Sequence, residues 1–207
     1  MISKYGFIRT CACAPRIKIA DIEFNTNQII ADIKSAKKQN ASIVLFPELS
    51  LTGYTCGDLF QQDILLKKSE EALDKIANET KDIIAVVGLP LYHQSRLWNV
   101  AAVIANGKIK AFIPKSYLPS YKEYYERRWF HSGFNIDSQY KKIPFNPNLI
   151  FNVSIGELSF KTGLEICEDL WMPIPPSSRL SIMGATLILN PSASTETVGK
   201  AAYRREL

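Results

Sequence analysis

Three residues of this chain carry groups capable of covalent chemistry and share one local syntax. Glu48 follows the apolar run SIVLFP, Lys115 follows KAFIP and Cys167 follows TGLEI. Each is a polar side chain set where a buried strand would end, and in open α/β sheets reactive groups gather at strand ends around a crevice. A thiol that attacks a carbonyl needs a group to take its proton. The histidines, His93 and His131, lie in ordinary loop contexts, so the carboxylate Glu48 is the better candidate base. The attack creates a tetrahedral oxyanion; Lys115 supplies positive charge for it, and backbone N–H groups just after Cys167 could supply the rest.

Cys167 stands in TGLEICEDLW, between Glu165 and the pair Glu168 and Asp169. Neighbouring carboxylates raise a thiol's pKa and blunt its nucleophilicity. They are tolerable if Lys115 sits among them and one of them reads a substrate. Taken singly, a cysteine after a strand is more often structural, a glutamate after proline more often a turn residue, and a lysine more often solvated surface. The shared placement raises the functional reading.

The remaining thiols invite plainer readings. Cys11 and Cys13, two apart in an expected strand, face the same side and are expected to pack as small hydrophobes. Cys56, in GYTCGD, is expected to pack a loop. No CxxC pair occurs among the four cysteines, and only two histidines could join them, so no metal site is expected. The net charge of +5 is spread among interleaved acids, as on an ordinary solvated surface. With 207 residues, 46% hydrophobic and 22% charged, the chain suits one globular domain with its own core. No apolar run reaches the roughly 18 to 20 residues of a membrane helix, and the first residues lack a long apolar segment before a cleavage site. A soluble cytoplasmic protein is expected.

The elements that must position the three residues follow from periodicity. Apolar β-branched runs (YGFIRTCACA, SIVLF, DIIAVVGLPL) alternate with amphipathic ones. In the first helical run, NTNQIIADIKSAKKQN, Ile29, Ile30, Ile33 and Ala36 share a face; in the second, Leu65, Ala72, Leu73 and Ile76 do. From Trp98 the pattern turns to hairpins, with turns at Asn106-Gly107 and at Ile155-Gly156. Layered sheets with helices outside fit this better than a doubly wound domain, and no phosphate-binding loop occurs. KSYLPSYKEYYERRWFHSGF reads as a loop or short helix over a cleft. Asp169 and Trp171 read as cap and anchor of a helix starting around Pro173, and a last helix begins near Thr197. The chain reads as cut inside or just after that helix.

Four stretches then carry a resemblance: FPELSLTGYTCGDLF, PKSYLPSYKEYYERRWF, GLEICEDLWMPIPPS and GATLILNPSAS. They resemble the glutaminase domain of glutamine-dependent NAD synthetases, a branch of the nitrilase superfamily, from residue 5 to the end. The resemblance implies a four-layer αββα sandwich with mixed sheets and a Glu-Lys-Cys triad of Glu48, Lys115 and Cys167. It further implies that Tyr121, Ser194 and Lys200 contact L-glutamine, that Glu168 helps hold its amino group, and that the Glu168 N–H completes the oxyanion site. Glu126 would position Lys115 or the substrate. Residues 1–207 would then form one glutaminase domain lacking its C-terminal part and the synthetase domain. ATP and magnesium are expected only in that synthetase domain, and no cofactor in this chain. The isolated chain is expected to be weakly active or inactive, and homo-oligomers are expected.

Other readings stay open. A stand-alone amidase or carbamoylase would share the triad and differ in substrate. KSYLPSYKEYYERRWF, rich in lysine, arginine and tyrosine, suits a nucleic-acid grip, though Glu123 and Glu126 oppose it. A purely structural assembly module is the third, with Trp98, Trp129 and Trp171 as candidate interface anchors.

Overall fold

The computed structural model describes residues 2–206. Its larger sheet is built from β1 (Thr10–Ala12), β2 (Ile43–Leu45), β3 (Ile84–His93), β4 (Arg96–Ala105), β5 (Lys108–Pro114), β6 (Ser138–Tyr140) and β7 (Ile143–Phe145), in the spatial order β1-β2-β3-β4-β5-β7-β6. β1, β2 and β3 run parallel because α1 (Ile22–Lys38) and α2 (Asp63–Asn78) return the chain between them; β3, β4 and β5 form antiparallel hairpins. A smaller sheet, in the order β10 (Leu187–Leu189), β9 (Leu158–Leu164), β8 (Phe151–Ile155), packs beside it. Two short helices complete the chain, α3 (Pro176–Ile182) and α4 (Lys200–Glu206).

Burial follows the two-residue period of the strands. Along β3, Ala85, Val87 and Leu89 face the helices, where Ile29, Ile33 and Ala36 of α1 and Leu65, Ala72, Leu73 and Ile76 of α2 close the first core. Val86 points the other way and joins Ile43, Ala101, Val103, Ala111 and Ile113 against Leu164 and Leu189 of the smaller sheet and Ile166 just after it. Both faces of β3 and β4 are therefore largely buried, which is why these strands read as nearly unbroken apolar runs. Leu180 of α3 covers the outside of the smaller sheet at Gly163, where a Cβ would stand 2.8 Å from the leucine Cδ1. The order is helix, sheet, sheet, helix, the αββα sandwich expected.

Boundaries depart from the sequence reading where capping and turn chemistry decide. α1 starts at Ile22 rather than in NTNQII, because the Asp21 carboxylate accepts the Phe24 N–H at 3.0 Å. The hairpin expected at Ile155-Gly156 turns one residue later, at Gly156 and Glu157, since Ile155 still pairs with Leu158. Two further hairpins turn at Gln94-Ser95 and Lys141-Lys142. All four residues have positive φ and none is glycine. The helix expected near Thr197 begins at Lys200, and the one expected around Pro173 begins at Pro176. Trp98 is a core residue, not an interface anchor: it is buried, with its indole N–H donating to the His93 carbonyl at 2.9 Å. Among the described residues, no helix is long and apolar enough to cross a membrane.

Candidate active site

Each reactive side chain is delivered by a strand end and fixed by a local constraint. After β2 the chain turns at Pro47 and Glu48 so tightly against β3 that only glycine fits beneath it. A Cβ on Gly88 would lie 2.3 Å from the Leu49 nitrogen and 2.8 Å from the Pro47 oxygen. Lys115 follows the last residue of β5, and its N–H donates to the Asn99 carbonyl of β4 at 2.9 Å. Cys167 follows β9 with φ +47°, a left-handed backbone that a non-glycine residue adopts at a cost. Its N–H is held by the Asn190 side-chain oxygen and the Pro191 carbonyl, both at 3.1 Å.

The three meet inside the protein. The Lys115 ammonium is fully buried and donates to Glu48 Oε1 at 2.6 Å and to Glu126 Oε1 at 2.7 Å. Asn99 Nδ2 donates to the same Glu48 oxygen at 2.7 Å, and the Tyr54 hydroxyl donates to Glu126 Oε1 at 2.5 Å. Glu48 Oε2 accepts the Ala193 N–H at 3.3 Å. Burial alone would lower the lysine pKa, but Glu48, Glu126 and Cys167 together hold it above its ordinary range. Burial, reinforced by the charge of Glu48, raises Glu126 above the usual carboxylate range against Lys115 and Tyr54. The Cys167 thiol is pushed up to about 12, by burial first and Glu48 second, with Lys115 pulling the other way. At neutral pH the sulfur therefore keeps its proton until a base removes it, and Glu48 is the carboxylate whose charge it feels most.

The acidic neighbours of Cys167 turn out to be engaged with N–H and O–H donors. Glu165 Oε2 accepts the Ser177 N–H at the start of α3, at 2.8 Å. Asp169 does not cap that helix. Its carboxylate accepts the N–H groups of Ser116, Tyr117 and Ile166 at 3.1, 2.8 and 2.9 Å, clasping the segment after Lys115 to the turn that carries Cys167. Glu168 accepts the Tyr121 hydroxyl on both oxygens, at 3.0 and 2.9 Å.

Outside the buried cluster lies a cavity of about 630 Å³ lined by Cys167, Glu168, Tyr121, Ser194, Lys200 and Trp171, among others. The Lys200 ammonium donates to Ser194 Oγ at 2.6 Å and stands 5.5 Å over the Trp171 ring. The triad and the five residues that resemblance added thus lie either in the cluster (Glu48, Lys115, Cys167, Glu126) or on this wall (Tyr121, Glu168, Ser194, Lys200). Of the segment 115–134 expected over a cleft, Pro119 and the run from Tyr121 to Tyr124 line this cavity. Within that segment Lys115 and Glu126 are buried, Arg128 pairs with Asp58 at 2.8 and 3.0 Å, and Lys122 and Arg127 are exposed. Cys56 is buried, its thiol donating to the Thr52 carbonyl at 3.1 Å, and the Cys11 and Cys13 sulfurs lie 3.5 Å apart, half-buried against the first core. A larger hollow of about 750 Å³ runs between the two sheets and is lined by strand residues such as Val86, Val103 and Leu164. It holds none of the reactive groups.

Comparison with known proteins bears on this geometry. A family model for carbon-nitrogen hydrolases matches residues 8–207. This chain belongs to the carbon-nitrogen hydrolase family. Among curated proteins of similar sequence, the glutamine-dependent NAD(+) synthetase of Mycobacterium tuberculosis (strain ATCC 25618 / H37Rv) is 37% identical over 210 residues, which cover 99% of this chain and 31% of that protein. That of Aquifex aeolicus (strain VF5) is 34% identical over 188 residues, covering 90% and 30%. This carbon-nitrogen hydrolase chain thus spans about a third of the length of these relatives. A crystal structure of a glutamine-dependent NAD(+) synthetase from Cytophaga hutchinsonii superposes with TM-score 0.83 at 33% identity, covering 96% of this chain and 33% of that one. An amidase from Nesterenkonia sp. shares the fold, with TM-score 0.72 at 21% identity over 94% and 68% of the two chains.

Three contributors escaped sequence reasoning. Asn99 gave a signal, a lone polar residue in the run LWNVAAVIA. Tyr54 and Asn190 gave none, because their partners lie 72 and 23 residues away along the chain.

Proposed function

We propose that this chain hydrolyses the side-chain amide of L-glutamine to glutamate and ammonia, as the glutaminase part of a glutamine-dependent NAD synthetase. The observation that carries the reading is one wall and one cluster sharing Cys167. The buried Glu48–Lys115 pair backs the thiol, and a cavity with a carboxylate, Glu168, and an ammonium, Lys200, opens in front of it. A zwitterionic amino acid with a terminal amide suits such a cavity: its ammonium would face Glu168 and Tyr121, its carboxylate Lys200 and Ser194.

Glu48 takes the thiol proton as the Cys167 sulfur bonds to the amide carbon, and the oxygen that becomes negative is met by the Lys115 ammonium and the Glu168 N–H. The carbon–nitrogen bond then breaks, the nitrogen leaving as ammonia with the proton Glu48 held. A water gives its proton to Glu48 and its oxygen to the thioester carbon, which releases glutamate and restores the thiol. Glu126 keeps Lys115 in place. ATP and magnesium are assigned to the synthetase part of such enzymes, to no residue of this chain, and assembly of copies with one another is part of the same proposal.

A stand-alone amidase is the second reading, favoured only by the shared fold. Protection separates the two. L-Glutamine should shield Cys167 from alkylation by iodoacetamide, with asparagine, simple ω-amides and N-carbamoyl compounds shielding it far less. Equal shielding by simple amides would favour the amidase.

A further inference from the structure

We infer that Asn99 is a positioning residue that assigns the base role to Glu48, by pinning one carboxylate oxygen so that the other faces Cys167. The inference rests on the reading above of Cys167 as nucleophile, though not on glutamine as its substrate.

Lys115 does not by itself distinguish its two carboxylates, since it reaches Glu48 at 2.6 Å and Glu126 at 2.7 Å. What differs is the second donor. Glu48 Oε1 is held from a second side by the Asn99 amide at 2.7 Å, within the apolar interior of β4. With that oxygen fixed twice, the carboxylate cannot rotate about its last bond. Oε2, free of both Lys115 and Asn99, accepts the Ala193 N–H at 3.3 Å. Asn99 also holds the other half of the ion pair, because its backbone carbonyl accepts the Lys115 N–H at 2.9 Å. One residue therefore sets where the lysine leaves its strand and how the glutamate is turned.

The amide is oriented for this contact alone. Asn99 Oδ1 is buried without a partner, and a buried carbonyl oxygen left unpaired is a cost. Reversing the amide would instead press that oxygen against a carboxylate already 2.7 Å from the nitrogen. Glu126 has a different second donor, the Tyr54 phenol, and its own Oε2 is buried with no partner.

The test reads the alkylation rate of Cys167 by iodoacetamide through peptide mass spectrometry, from mildly acidic to alkaline pH. The chains compared are the parent, Asn99→Leu, Glu48→Gln and the double variant. Asn99→Leu is expected to slow Cys167 about tenfold at neutral pH, the typical worth of a hydrogen bond to a charged group, and to move the acid limb of the profile to higher pH. In the Glu48→Gln background the same change should alter the rate less than about twofold, the signature of residues acting as one unit. A superimposable profile, or equal slowing in both backgrounds, overturns the inference. Cys56 labelling reports the fold in every sample. Should Asn99→Leu expose Cys56, the isosteric Asn99→Asp decides. Setting a second carboxyl group about 2.7 Å from Glu48, where the two must share one proton, it should shift the acid limb of the Cys167 profile, and a superimposable profile there overturns the inference as well. Loss of glutamine protection in the parent chain, with these effects intact, counts against the glutaminase reading alone.

Discussion

Without the Lys115 ammonium, Glu48 and Glu126 would face one another inside the protein with no compensating charge. Breaking a buried ion pair from one side typically costs about 3–5 kcal/mol, and Lys115→Met should lower unfolding stability in denaturant by that order. Adding Glu126→Gln to it should recover part of the loss, whereas a further loss would mean that the lysine's packing, not its charge, matters. The thiol sets a second expectation. Burial and Glu48 raise its pKa to about 12, so thiolate is scarce at neutral pH and grows only as pH climbs toward that value. Glu48→Gln should slow Cys167 alkylation at neutral pH by about 100-fold or more. Reactivity should return only under strongly alkaline conditions, because burial, the larger cause, remains; a rate unchanged at neutral pH would show that Glu48 is not the base. At this scale Glu48, Lys115 and Cys167 were legible because each ends an apolar run. Tyr121, Glu126, Glu168, Ser194 and Lys200 were reached through resemblance. Asn99 and Tyr54 act across folded distance, which no local spacing records.

Strand ends and turns hold these groups to their geometry. Gly88 has backbone atoms, not flexible side chains, within 3 Å of where a Cβ would stand. Gly88→Ala must displace the Glu48 turn, and Cys167 labelling should fall more than about tenfold together with a drop in melting temperature; an unaffected labelling rate would contradict that dependence. Asp169 clasps two strand ends through three N–H groups. Asp169→Ala leaves those donors unpaired, at about 1–3 kcal/mol each, and should destabilise the chain by several kcal/mol in denaturant unfolding. A loss under about 1 kcal/mol would mean that water replaces the carboxylate. The long elements were legible from periodicity, α2 and β3 above all. The turns at Gln94-Ser95 and Lys141-Lys142 were not, since a positive φ carried by glutamine, serine or lysine has no sequence signature. The role of Asp169 was misread because an acid four residues before a proline looks locally like a cap, while its true partners Ser116 and Tyr117 lie 53 and 52 residues earlier.

Seen whole, the molecule places its chemistry where two sheets meet. Glu48 and Lys115 come from the larger sheet and Cys167 from the smaller, so the base and the nucleophile are brought together by the packing of Val86, Val103 and Ile113 against Leu164 and Ile166 and by the Asp169 clasp between the two strand ends. The αββα layering was legible only as layered sheets with helices outside until resemblance supplied the count, because the period of two says which residues are buried and not what buries them. Membership of the carbon-nitrogen hydrolase family and the αββα fold agree with one another, and the cavity beside Cys167 gives the proposed amide chemistry its place. The most direct test is intact-protein mass spectrometry after incubation with a diazo-ketone analogue of glutamine, run on this chain and on Cys167→Ala. The account predicts a single adduct that disappears in the variant. A folded chain that gains no adduct, or a variant that keeps it, would contradict the claim that Cys167 is the nucleophile of a glutamine site.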